Sequence, residues 1–553
     1  MDKILGYDYE NSMNRGRRKK NGAFYTPSSI VDYIIKNTMD NLDIINHPFV
    51  KVIDPSCGCG YFLVKAYQFL FDKFADNLQN IRRNFLNQVY KIDTACGEET
   101  IYGDKYWSLD NLSYHILKNC IYGADIDNEA VKLTKANLKL ISKMKFNLNT
   151  NIICCNSLIK WNENFASKKG ELSCNDILIE FWNKKYDYVI GNPPWVSLSR
   201  KFKNKINREL IEYYISQYNG SKYLPNLYEY FVKRAFEILN CGGRIGFLIP
   251  DRFASNIQYR ELRKHILKNY NICRLNFEVE FPGINTDTMV FIAENRYEND
   301  NRIFIDIKNE AKYNIYQGEY VNNHNLEFSY ERQIESRYIK KIIEKNTDML
   351  GDICVTFTGF IGNKKVISKI RKNKDQIHIL KGENIKRYGI LNSYYYDFIE
   401  KNIKGGTKNP EKLSHKNKVI MRKTGKNIIA ALDRKGYIIE QSLYGIIPDK
   451  TDISVEYILA ILNSKLIQWY YINFLVVNYN SIPQIKKYSL DSVPIKRCSE
   501  SKKNEIIQLV DRMIDSSSDS EKRMIQRELD DIIFELYGIS DDIKDIMLCS
   551  LNG

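Results

Sequence analysis

The sequence predicts a doubly wound α/β fold, a mostly parallel sheet with helices on both faces, followed by a mixed α+β domain. Three observations carry that expectation. Between residues 50 and 295, short apolar runs rich in β-branched residues alternate with amphipathic helical patterns, the signature of strands buried on both faces and joined by crossover helices. Beyond residue 336 the rhythm shifts to short strand-like runs with few helices. The chain of 553 residues is also too long for one ordinary domain, at about 150 residues per domain.

Taken in order, residues 1–21 are polar, contain the run RGRRKK and read as a flexible basic arm. The first domain is expected over residues 22–300. Its opening unit is the strand VKVID and the helix YFLVKAYQFLFDKF. Residues 76–118 show helical periodicity without a strand signature and read as a helical insertion. IYGAD with NEAVKLTKANLKLI, NIICC, YDYVIGN, LYEYFVKRAFEIL with RIGFLIP, and finally NICRLNFEV and TMVFIAE complete the alternation. The polar, Asn-rich stretch 301–335 reads as a connecting segment. A second domain is expected over 336–500, where ICVTFTGF, KVIMRK and GYIIEQSLYGIIP alternate with the helical EYILAILNSKLIQWYYINFL. Residues 501–553 read as C-terminal helices, two amphipathic stretches broken at SSSDS.

Composition narrows the classes. With 44% hydrophobic and 27% charged residues the chain is a folded globule and not a disordered or fibrous one. No apolar run approaches the roughly 18 residues of a membrane span, and the N-terminus lacks a signal-peptide core, so a cytoplasmic protein without a membrane partner is expected. Twelve cysteines occur without paired CxxC motifs or histidines at finger spacing, which points to reduced, buried thiols and no metal. The net charge of +15 is unevenly placed: residues 361–440 carry 20 basic and 7 acidic side chains, whereas 501–553 carry 7 and 12. Such clustering suits a polyanionic partner better than a uniformly solvated surface does.

Three motifs carry the chemistry. Val52-Ile53-Asp54-Pro55-Ser56-Cys57-Gly58-Cys59-Gly60 is a strand running into a glycine-bearing turn that opens a helix. Gly58 and Gly60 let the backbone approach a ligand, although a purely structural tight turn fits as well. Tyr122-Gly123-Ala124-Asp125-Ile126-Asp127 ends the next strand, where an acidic side chain meets ribose hydroxyls; Asp125 is the better placed, and Asp127 also fits a helix N-cap. The third, Gly191-Asn192-Pro193-Pro194-Trp195, follows an apolar strand. There an amide oxygen and a rigid carbonyl offer two acceptors beside a large ring, which suits a planar base bearing an exocyclic NH2 group.

The order Phe24-Tyr25-Thr26-Pro27, DPSCGCG, GADID, CCNSL and GNPPW, with a basic C-terminal region after it, resembles the gamma-class (TaqI-like) N6-adenine DNA methyltransferases. Within that class, residues 107–131 most resemble clostridial orphan adenine methyltransferases. The resemblance implies a methyltransferase sheet and S-adenosylmethionine as cofactor, with S-adenosylhomocysteine as product and no metal. By similarity Tyr25, Thr26 and Pro27 flank the methionine part; Asp54, Ser56, Gly58 and Gly60 shape the pocket; Asp125 and Ile126 meet the ribose region; and Asn156 and Ser157 lie near the adenine, with Asn192 adjoining. Asn156 stands where the family commonly has Asp, and Trp195 where it has Tyr or Phe. Phe281 matches a position that packs on the second face of the target base.

The implied reaction is direct methyl transfer to N6 of an adenine flipped out of duplex DNA, with Asn192, Pro193, Pro194, Trp195 and Phe281 as the catalytic group. Arg200, Lys201, Lys203 and Lys205 would meet phosphates beside the flipped base, or else form a solvated helix face. Lys386, Arg387, Arg422 and Lys423, interleaved with tyrosines, would serve a target-recognition domain. The expected partner is double-stranded DNA bound by a monomer, with a separate restriction endonuclease left open. With about two dozen residues ahead of Phe24, a nuclease fused ahead of the first motif is not expected. Two other readings stay open: a methyltransferase acting on RNA or on protein glutamine, and an inactive DNA-binding specificity module, for which Asn156 is the support.

Overall fold

The computed structural model describes residues 26–94, 97–143, 148–161, 176–198, 208–220, 226–281, 287–307, 311–330, 335–449, 453–477 and 483–552. The basic arm at 1–21 lies outside them. The chain divides into two units after Tyr330.

Helix α1 (Ser28–Thr38) opens the first unit, burying Ile30, Val31, Ile34 and Ile35 at helical spacing. Strand β1 (Val52–Asp54), helix α2 (Tyr61–Asn84), the hairpin β2 (Val89–Thr94) and β3 (Gly97–Tyr102), and helix α3 (Leu109–His115) follow. Then come β4 (Ile121–Asp125), α4 (Asn128–Ser142), β5 (Asn151–Cys154), α5 (Asp176–Asn183) and β6 (Tyr186–Gly191). The unit ends through α6 (Arg208–Gln217), α7 (Leu227–Ile238), β7 (Leu239–Pro250), α8 (Arg260–Asn269), β8 (Asn271–Val279), β9 (Thr288–Glu294), β10 (Arg302–Ile307) and β11 (Lys312–Tyr316).

Nine strands form one sheet in the order β11-β10-β8-β9-β7-β6-β1-β4-β5. From β5 through β7 all pairs are parallel, and β9 runs antiparallel between β7 and β8. Each strand sends alternate side chains to opposite faces. Val52, Ile121, Tyr188, Ile190 and Leu248 pack with α1, α2 and α4, whereas Ile53, Tyr122, Val189, Ile245 and Phe247 pack with α5, α7 and α8. This is the doubly wound arrangement expected, with helices on both faces.

Two stretches differ from the sequence reading. The insertion is not all helical: β2 and β3 pair antiparallel, Val89 opposite Tyr102. Their alternation is masked because Tyr90 is the buried residue among charged neighbours that face solvent. Nor is 301–335 simply a connector. β10 adds to the sheet parallel to β8, its Ile303, Ile305 and Ile307 buried at period two, and β11 closes the edge.

The second unit holds a four-stranded antiparallel sheet of Cys354–Thr358, Leu443–Pro448, Lys418–Arg422 and Ala430–Asp433, with smaller sheets beside it. Helices Val455–Asn463 and Lys465–Tyr470 pack in one core with helices Glu500–Asp515 and Asp519–Tyr537. The C-terminal helices are thus part of this unit, and a third, Asp541–Asn552, follows the two expected. Lys418 and Asp433 form a fully buried ion pair of 2.6 Å, completed by the carbonyls of His415 and Tyr437. Among the described residues no helix is long and apolar enough to cross a membrane.

Candidate active site

Strand order reverses at β1: the chain passes outward to β4 and β5, then returns to β6 on the other side. The crevice at the carboxyl ends of β1, β4 and β6 is where ligands enter an open α/β sheet. All three motifs end there. Asp54 closes β1 and is buried, its Oδ1 accepting from Ser56 N at 2.9 Å. Burial first, and the nearby Asp125 as well, raise its carboxyl from the ordinary 3.8 to about 8. Asp125, at the end of β4, accepts from Gly58 N at 2.8 Å and from Asp127 N at 2.9 Å. Burial holds it above the usual carboxylate range too. Two carboxyl groups therefore sit behind one glycine turn.

That turn is pinned from several sides. Cys57 N donates to Ala124 O, Thr134 Oγ1 to Gly58 O and Asn137 Nδ2 to Cys59 O. Gly60 has φ +90°, and a Cβ there would lie 2.9 Å from Thr134 Cγ2, so glycine is required. Thr134 and Asn137 went unnoticed in the sequence; their signal is a pair of polar residues three apart on the inner face of α4. Asp127 takes the N-cap role, accepting from Glu129 N, and Ile126 beside it is 70% exposed in the crevice mouth.

At the end of β6, Asn192 is half-buried and its Nδ2 donates to Thr26 Oγ1 at 3.1 Å, leaving Oδ1 as the acceptor of that amide. Thr26 is buried at the entry to α1, with Pro27 at the helix N-cap position. Pro193 is buried, whereas Pro194 and Trp195 are half-buried. The rings of Trp195 and Phe281 are 5.5 Å apart, centroid to centroid, and tilted by 57°. A base held between two faces needs about 7 Å, two van der Waals separations, so here the rings pack on each other.

The loop after β5 contributes differently. Asn156 Oδ1 accepts from Leu158 N at 3.1 Å, and its Nδ2 donates to Tyr214 Oη at 2.7 Å. Tyr214, on α6, anchors the Asn156 loop and was not singled out in the sequence; it is buried in a helix that reads as a generic apolar stripe. Ser157 is buried and donates to Pro55 O at 2.5 Å, so it ties the β5 loop to the β1 loop.

Tyr25, Arg200, Lys201, Lys203 and Lys205 lie outside the described residues. In the second unit, Lys386 and Arg387 are exposed on a turn whose Tyr388 is buried with φ +65°. Arg422 and Lys423 are turned inward, which differs from a groove-facing role. Arg422 donates to the carbonyls of Gly382 and Ile385 at 2.8 and 2.9 Å. Lys423 donates to Thr358 Oγ1 and lies 4.5 Å over the Tyr444 ring, and burial lowers its ammonium to about 8. Among the described residues no group of three or more His, Cys, Asp or Glu could hold a metal.

Comparison with known proteins adds to this geometry. Residues 119–280 match the Eco57I restriction-modification methylase family, and residues 377–495 match the TaqI-like C-terminal specificity domain. The Escherichia coli Type II restriction enzyme and methyltransferase RM.Eco57I is 25% identical over 409 residues, covering 68% of this chain and 38% of that protein. The Type II methyltransferase M.VspI of Vibrio sp. (strain 343) is 23% identical over 389 residues, covering 69% of this chain and 74% of the relative. This chain thus spans little more than a third of the first relative and about three quarters of the second. In fold it is similar to the Type IIL restriction-modification enzyme MmeI solved in complex with DNA, at a TM-score of 0.61 and 15% identity over 96% of this chain and 78% of that one.

Proposed function

We propose that this chain, a relative of the Type II restriction-modification methyltransferases, is a site-specific DNA methyltransferase that uses S-adenosylmethionine to methylate N6 of an adenine flipped out of duplex DNA. The observation that carries the reading is the meeting of Asn192 and Thr26 with the Asp54–Gly60 turn at the switch point of the sheet. The adenine target rests on the resemblance of the motif order.

The residues present fit the cofactor. Asp54 and Asp125 supply acceptors beside a turn whose glycines admit a ligand, and the exposed Ile126 offers an apolar face where β4 ends. When bound, S-adenosylmethionine supplies a sulfonium-activated methyl group. An adenine amino nitrogen is a poor nucleophile because its lone pair is delocalised into the ring. Asn192 Oδ1 and the Pro193 carbonyl would accept its two hydrogens, hold the nitrogen as it pyramidalises and aim its lone pair. Trp195 would stack on the base, and Phe281 would withdraw from Trp195 to admit it. Thr26 orients the Asn192 amide, and the proton leaves after the methyl arrives, so no carboxylate base is needed.

Incubating the chain with labelled cofactor and, in parallel, duplex DNA, tRNA, rRNA and a release-factor protein tests the reading. Label in DNA as N6-methyladenine is expected. Asn192→Ala should lower turnover by about 10²- to 10³-fold, as loss of one pre-aimed hydrogen-bonding group does, with cofactor affinity nearly unchanged. Label in RNA or protein alone would refute the DNA reading.

A further inference from the structure

Residues 363–376, NKKVISKIRKNKDQ, join the strand Phe360–Gly362 to the strand Ile377–Leu380 and carry six cations, Lys364, Lys365, Lys369, Arg371, Lys372 and Lys374, against one carboxylate, Asp375. The six cations are exposed. In their midst Ile370 is 77% exposed, more than any other large apolar side chain among the described residues. A lone exposed isoleucine is ordinary. This one is held in place by a loop that is internally bonded.

Ser368 exchanges backbone bonds of 3.1 and 2.8 Å with Tyr395, and its hydroxyl donates to Ile370 O at 2.7 Å. Asn373 Oδ1 accepts from Asp375 N and Gln376 N, both at 3.0 Å, while its Nδ2 donates to Asp397 Oδ1 at 3.0 Å. Gln376 Oε1 accepts from Lys372 N at 2.7 Å. Arg371 folds back, donating from Nε to Asn373 O at 3.1 Å and from Nη2 to Lys374 O, so it shapes the loop. Glu383, the acidic neighbour on the adjoining turn, is engaged by Lys381 and Tyr394. The result is a pre-ordered loop that presents one apolar side chain, Ile370, among exposed cations flanking it in the sequence. A DNA groove has the complementary profile: phosphates outside, and base edges with thymine methyls within. Pre-ordering lowers the entropy lost on docking.

We propose that residues 363–376 are a groove-reading loop, with Lys369, Lys372 and Lys374 on phosphates and Ile370 against base edges. This rests on the DNA reading above, and the loop lies just ahead of the segment that matches the TaqI-like specificity domain. The test is fluorescence anisotropy with the full chain over a range of salt, on a duplex carrying the motif that the chain methylates and on a scrambled duplex. Lys369→Gln, Lys372→Gln and Lys374→Gln combined should weaken both duplexes alike and lower the salt slope by about 0.9 for each phosphate no longer neutralised. Ile370→Ser should leave the slope unchanged and reduce the preference for the motif at least about fivefold, the scale of reading one base pair. Because all four side chains face solvent, melting curves matching the parent are expected. Variants with parental slope and preference, while the parent binds and methylates, would overturn the loop assignment alone. A parent that neither binds nor methylates duplex DNA would overturn the DNA reading and this inference with it, and parental binding confined to RNA would do the same.

Discussion

At Gly191 two constraints meet. Its φ is +149°, and a Cβ there would fall 2.6 Å from Asp54 Oδ1. Alanine would therefore have to displace either the buried carboxyl or the Asn192 that follows, at about 1 to 3 kcal/mol of stability. Urea unfolding of Gly191→Ala should show that loss together with a lower turnover; a variant as stable and active as the parent would contradict the packing. Asp54 gives a pH signature. Its proton is held more tightly folded, near 8, than unfolded, near 3.8, so its contribution to stability is complete below about pH 4 and lost as pH rises through 8. Asp54→Asn removes that titration. The melting temperature of the variant relative to the parent should climb between pH 5 and pH 8.5, and a flat difference would contradict the burial of this carboxyl. Asn192, Asp54 and Asp125 were legible as candidates because polar groups at the ends of apolar strands stand out in the sequence, and the structure brings all three to one crevice. The residues that hold the neighbouring loops, Tyr214 on Asn156 and Thr134 and Asn137 on the glycine turn, were hidden because a polar group on a buried helix face looks the same whether it holds a loop or merely satisfies itself.

At the scale of elements, the parallel strands were legible because burial on both faces writes them as unbroken apolar runs. The hairpin of β2 and β3 and the edge pair of β10 and β11 were not. Strands covered on one side only mix charge with apolar residues, and an Asn-rich neighbourhood obscured the period-two isoleucines of β10. Helix α1 shows how an element positions the site. It lies on β7, where a methyl on Gly246 would overlap the Thr38 side chain, and Thr26 at its entry holds Asn192. Gly246→Ala should cost about 1 to 3 kcal/mol, and adding Thr38→Ala should recover part of it, read as a coupling in a double-mutant cycle by chemical denaturation. Strict additivity would mean that α1 sits elsewhere on the sheet.

For the molecule as a whole, charge and cores divide the labour. The first unit builds its crevice between two apolar layers of one sheet. The second has its own cores and carries the basic stretch 361–440. The clustered charge was legible from counting, yet counting could not tell the inward Arg422 and Lys423 from the outward Lys369, Lys372 and Lys374, because exposure is set by the fold around each side chain. If the two units together form a site-specific adenine methyltransferase, expression alone should mark a genome. Single-molecule sequencing of DNA from a methylation-free host producing this chain tests that most directly. N6-methyladenine confined to one discrete motif is the predicted result, and genomic DNA left unmodified by a folded, cofactor-binding protein would contradict it.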